Sequence, residues 1–184
     1  ELVSRMPLLQ AALGIAFFWS FGTLAQAAID LFANRDLFGT LAHVGVDSFA
    51  DRERTFTGIL LGLLTLGVGC GSLVAGFWSG GRIELGIVPL GAAGIAAGFF
   101  FLGATPELPV SSQSAAAEFA PRALEAAGWA AYGWSCLWLF ALGVAAGLFN
   151  VPLQAFLQDR SPPQSRGAVW AAHNFLSCGG MLAA

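Results

Sequence analysis

Between Thr55 and Pro106 the chain carries two charges, Arg82 and Glu84, and both stand just after the glycine pair Gly80-Gly81. The apolar, glycine-rich runs on either side, 55–81 and 85–106, each reach the roughly 18–20 residues a helix needs to cross a bilayer. A transmembrane barrel would instead show segments of roughly ten residues alternating apolar and polar, and no such alternation is present. The stretch CGSLVAGFWSGGRIELGIVPLG, residues 70–91, is therefore predicted to end one membrane helix, turn tightly and begin the next. Two spans joined so closely are expected to be antiparallel neighbours, with Arg82 and Glu84 marking a membrane surface.

Three further uncharged runs, 6–29, 126–158 and 167–184, extend the pattern. The sequence predicts an all-α integral membrane protein with five helices, at about 8–33, 56–80, 84–104, 131–157 and 167–184. Only 10% of the residues are charged, against about 25% in a soluble domain, which makes lipid the solvent. A net charge of −3 with no lysine excludes a nucleic-acid partner, which would call for a basic face. Cys70, Cys136 and Cys178 all fall in apolar runs and read as buried thiols, not a disulfide framework. No signal peptide is visible, and the chain begins at Glu1 and ends in mid-span, so it is expected to be a piece of a longer protein.

Connections alternate in size. Those around 34–54 and 105–130 are long, and in the second a short interfacial helix is expected over 114–127, limited by Pro121. The Arg82 turn and DRSPPQSR at 159–166 are short. Arg5, Arg82, Arg160 and Arg166 lie on the short-loop side, and Arg35, Arg52, Arg54 and Arg122 on the other. The counts tie, but the density of arginine per loop residue makes the short loops cytoplasmic.

The segment SGGRIELGIVPLG, together with QDRSPPQSRGAVWAAHNF at 158–175, resembles the carboxy-terminal half of a major facilitator superfamily transporter. More narrowly it is similar to the bacterial lysophospholipid transporter branch, often fused to or encoded beside a phospholipid acyltransferase and an acyl-carrier-protein ligase. The resemblance implies that the five helices are the seventh to eleventh of twelve, in a multi-pass protein of the inner membrane. It also implies cytoplasmic short loops, a missing amino-terminal half as partner, membrane lipids as surroundings, and lysophospholipid as substrate. The superfamily's loop signature, G-x-L-A-D-R-x-G-R, is met only loosely by Gly76-Phe77-Trp78-Ser79-Gly80-Gly81-Arg82. Glycine replaces the signature's aspartate, so that acid's role does not carry over.

Several residues are candidates to line a transport path. Trp19, Thr23, Gln26 and Asp30 share one face of the first helix, which must meet protein or a wet cavity, unless Asp30 merely marks the membrane surface and Trp19 packs. In the fourth helix Gly143, Gly147, Asn150 and Gln154 share a face, and Pro152 between the amides is expected to bend it. These amides either border a moving wall or join helices by hydrogen bonds. The fifth helix places Trp170, His173, Asn174, Ser177 and Met181 on one face, with His173 either a proton relay or a packing residue. Arg82, Glu84, Asp159, Arg160 and Arg166 form a cytoplasmic loop motif, able to bias helix ends through ion pairs or simply solvated. Small-xxx-small pairs occur at Gly58/Gly62, Gly67/Gly71, Gly76/Gly80, Gly94/Gly98 and Gly143/Gly147, each either a helix contact or a chance spacing.

Three function classes compete. A secondary transporter of lysophospholipid, or of a sugar or drug, uses such polar faces directly. A membrane enzyme would need a nucleophile and base, but Ser79 is paired by spacing with neither His43 nor His173, and no metal cluster or cofactor motif appears. Enzyme chemistry would then sit in a fused acyltransferase outside these residues. A structural scaffold would need no in-membrane amides beside a proline.

Overall fold

The computed structural model describes residues 6–32, 53–80, 83–105 and 121–183, and every regular element in them is an α-helix. In chain order they are α1 (Met6–Phe32), α2 (Glu53–Ser79), α3 (Ile87–Gly103), α4 (Pro121–Arg160) and α5 (Arg166–Ala183). α1, α2 and α4 are long and apolar enough to cross a membrane, whereas α3, at 17 residues, is apolar but shorter. Phe17, Phe77, Phe100 and Phe175 turn their rings outward, Phe77 being 85% exposed. Such a surface suits lipid and not water.

Helix ends follow local chemistry. α2 stops at Ser79 because Gly80 takes a left-handed φ of 52°, and its N–H caps the Phe77 carbonyl at 3.2 Å. Pro89 lies in the first turn of α3, where its missing N–H would have had no partner. α4 gives way to Pro162-Pro163, and the turn closes with Ser165 N donating to the Pro162 carbonyl at 3.1 Å.

The fourth helix departs most from expectation, running from 121 instead of 131. Pro121 is its first residue, where a proline fits without loss, and Ala123, Leu124, Glu125, Ala126 and Ala127 all favour helix. The part of the expected interfacial helix that is described, 121–127, is thus the start of α4, while 114–120 lie outside the described residues. Forty residues span about 60 Å, twice the hydrocarbon thickness, so part of α4 stands outside it. Helical structure continues through Pro152, so no break accompanies the expected bend.

Matching side chains fix the directions. Phe56 meets Tyr132, Gly67 faces Gly143 and Gly71 faces Gly147, so α2 and α4 are parallel. Gly98 faces Leu142 and Gly91 faces Phe149, so α3 is antiparallel to α4. α1 is antiparallel to α4, through Phe18 on Phe149 and Leu8 beside Leu157, and parallel to α5, through Leu8 beside Val169 and Ser20 at Gly180. Each helix therefore runs opposite to its predecessor, and the connections alternate between two ends as the loop lengths predict.

The expected α2–α3 hairpin is only half right. The two are antiparallel, yet each lies along α4 and not along the other. α4 is the hub of the bundle, and α5 packs mainly on α1. One apolar cluster joins Ile29, Leu60, Leu102, Tyr132, Leu139 and Leu142 at the end carrying the long connections. A second joins Leu8, Ala12, Ile15, Leu157 and Val169 at the other.

Candidate functional site

The polar candidates are positioned by a seam of glycines. A Cβ placed on Gly67 would stand 2.3 Å from the Phe140 carbonyl oxygen, and one on Gly71 2.1 Å from that of Val144. Reciprocally, Gly143 would meet the Leu64 oxygen at 2.2 Å and Gly147 the Val68 oxygen at 2.5 Å. Four backbone positions thus interlock, each directing a Cα–H toward a carbonyl across the interface. The other side of α4 receives α3, where a Cβ on Gly94 would meet Ala145 at 2.7 Å and one on Gly98 would meet Leu142 at 3.0 Å. Gly58, Gly62, Gly76 and Gly80 have open space around them. Three of the five spaced pairs are helix contacts and two are not.

Asn150 and Gln154 continue the Gly143/Gly147 face of α4 beyond the seam, and both are half-buried. Gln154 Nε2 donates to Asn150 Oδ1 at 3.5 Å, a long bond that leaves most of their hydrogen-bonding capacity unused. Leu157, less than a turn further on and on nearly the same face, is fully buried in the α1–α5 cluster. The two amides therefore lie between the stretch of α4 that meets α2 and the stretch that meets α1 and α5. The glycine part of this face is closed against α2, so only its amide part is open to a path.

On α1 one helix face changes character along its length. Leu8, Ala12 and Ile15 are buried, whereas Trp19, Thr23 and Gln26, on the same side by helical spacing, are exposed. Thr23 satisfies its hydroxyl locally, donating to the Trp19 carbonyl at 3.0 Å. Gln26 has no such bond, and Asp30 is half-buried with no ion pair among the described residues. α5 packs along this face from Leu8 to Ser20, the latter level with Gly180.

The α5 candidates separate. His173 is buried and sits edge-on to Trp170, with ring centroids 5.7 Å apart, while Asn174 next to it is exposed. No hydrogen bond among the described residues links the α1 stripe, the α4 amides and His173. The loop motif forms no lock among those residues: its one ion pair joins the sequence neighbours Asp159 and Arg160 at 3.8 Å, both well exposed. Glu84 and Arg166 are exposed, and Arg82 lies outside the described residues.

Sequence reasoning passed over the buried polar atoms Thr57 Oγ1, Trp138 Nε1 and Ser165 Oγ, which lack partners among the described residues. Trp138 could have been flagged by its spacing of four from Trp134, whose Nε1 donates to the Phe101 carbonyl at 2.9 Å while Trp138 stacks on the Phe101 ring at 4.1 Å.

Comparison with protein-family models, with curated proteins and with solved structures returns no match for this chain.

Proposed function

We propose that this chain is part of a secondary transporter of the major facilitator type, moving a small amphiphile, lysophospholipid foremost, across a bacterial inner membrane by alternating access. The observation that carries the reading is the half-buried Asn150–Gln154 pair of α4, two amides inside an apolar helix with most of their donors and acceptors unused. An amide turned toward hydrocarbon costs several kcal/mol, so Gln26 must meet water, ligand or another polypeptide. Thr23 and Gln26, on one face of α1, give a second polar patch. Amides without charges suit a polar head group that drags an apolar tail past them. The resemblance carried by Arg82-Ile83-Glu84-Leu85-Gly86 and the loop after Asp159 supports the superfamily, with the amino-terminal half as the facing wall and a fused or neighbouring acyltransferase as the consumer of the cargo.

In this reading all five helices cross. α3 and α5, at 17 and 18 residues, would do so with little tilt or with slight local thinning of the bilayer. The test is lysophospholipid flux per folded molecule of the intact parent protein in vesicles, comparing wild type with Gln26→Leu and Gln154→Leu. A path wall predicts reduced flux at unchanged stability for both. Unchanged flux with raised thermal stability would assign Gln26 to lipid contact and remove the path from α1. Flux of a different solute alone would keep the transporter and discard the lipid.

A further inference from the structure

α5 holds a polar pair that lies in a helix contact and not on an open face. His173 is 3% exposed and Ser177 5%, and among the described residues neither Nδ1 of the one nor Oγ of the other has a hydrogen-bond partner. They stand four residues apart on one helix, so their Cβ atoms are about 5–6 Å apart. Ser20, Thr65, Ser72, Ser79 and Ser135 each return the hydroxyl to the carbonyl four residues back. For Ser177 that carbonyl belongs to His173, and the bond is not made. Flanking them, Val169 and Leu176 pack with Leu8, Ala12 and Ile15 of α1 and Leu153 and Leu157 of α4.

Among the described residues, charge is remote from this contact. Asp30 of α1 lies about four turns beyond Ile15, and Asp159 and Arg160 of α4 are exposed. On α5 itself Arg166 and Cys178 are exposed. The imidazole thus lies among aliphatic side chains and beside one indole ring, with no counter-charge among the described residues.

We propose that His173 is a proton-binding site closed by the α1–α5 contact, empty while the helices are together and filled when they part. A neutral ring is tolerated among aliphatic side chains, but an unpaired imidazolium is not. Proton uptake from water onto the free ring nitrogen and separation of the helices are therefore linked, and lower pH favours the parted state. Ser177 supplies the hydroxyl that holds the entering water beside the ring. Nothing in this inference depends on which solute is carried.

The test places spin labels at the exposed positions Leu13 and Phe175, with Cys70, Cys136 and Cys178 replaced by alanine, in the full chain in lipid nanodiscs. The ratio of parted to closed helices should rise as pH falls from 8.5 to 5, with a limiting slope of about tenfold per unit, the mark of one proton. The rise should vanish in His173→Gln. A distance distribution that ignores pH overturns the proposal, as does a response that survives in His173→Gln. Should that variant fail to fold, imidazole nitrogen resonances of the protein carrying only His43→Gln decide the matter. The ring must titrate at the midpoint of the distance change, and a protonated ring in the closed population overturns the proposal.

Discussion

Replacing Gly71 by alanine tests the α2–α4 seam most directly. The new methyl would stand 2.1 Å from the Val144 oxygen and 2.8 Å from its carbonyl carbon. Backbone atoms cannot rotate aside, so the helices must part by roughly 1 Å, loosening every contact along the seam. Overpacking of this kind costs about 1–3 kcal/mol. Alanine returns ~1 kcal/mol through its higher helix propensity, leaving a net loss of up to about 2 kcal/mol and a gap of about 1–3 kcal/mol from a glycine-to-alanine change in open space. Gly76→Ala is the internal control, because nothing stands within 4 Å of its added carbon, and it should be neutral or slightly stabilising. Gly147→Ala should resemble Gly71→Ala, and the double variant should lose less than the sum, since one separation of the helices accommodates both methyls. The assay is reversible unfolding in mixed micelles, followed by helix-sensitive circular dichroism. Equal stability of Gly71→Ala and Gly76→Ala would refute the interlocked seam, and strict additivity in the double variant would refute the shared displacement.

Three other outcomes follow. Gly180→Ala should destabilise by ~1 kcal/mol, because its Cβ would press on Ser20 Oγ, and Ser20→Ala in the same chain should recover most of the loss. Trp134→Phe, which removes the donor to the Phe101 carbonyl, should lower unfolding stability by about 1–2 kcal/mol and loosen α3 against α4. An impermeant thiol reagent on intact cells should label cysteine at Gly45 and spare cysteine at the exposed Gln164, and the opposite pattern would reverse the orientation.

Among the described residues, helix number, rough extent and alternating direction could be read from local runs, because a long apolar helix declares itself in some twenty consecutive residues. Partners could not. The Arg82 turn is short enough to suggest that α2 lies against α3, but in lipid a shared turn supplies no attraction, and close approach decides. Both helices offer glycines to α4, at Gly67/Gly71 and at Gly91/Gly94/Gly98, and both settle there. Spacing alone does not separate Gly67/Gly71 from Gly58/Gly62, since that depends on what a residue some 76 positions away brings opposite. The candidate site divided in the same way. The polar faces of α1 and α4 were evident from helical spacing, whereas the burial of His173 beside an exposed Asn174 depends on how α5 is rolled against α1. That residues 121–127 are continuous with α4 and not a separate interfacial helix was hidden by Pro121, which reads as a limit on a helix, whereas a proline at the first position breaks nothing.

The parallel pairing of α2 with α4 also sets an order of assembly in the membrane. Parallel helices cannot be joined by a tight turn, so α3, which in the proposed reading crosses between them, must be in place before the seam can close. Until Gly143 and Gly147 have entered the bilayer, Gly67 and Gly71 face lipid tails, and α2 and α3 have only their turn in common. The fourth helix to insert is thus the one that gives the earlier three their positions. A nascent chain stalled before residue 121 would hold three helices with few contacts among them, Phe21 against Phe99 being one, which makes the interval between α3 and α4 the period in which this bundle most needs protection from its neighbours.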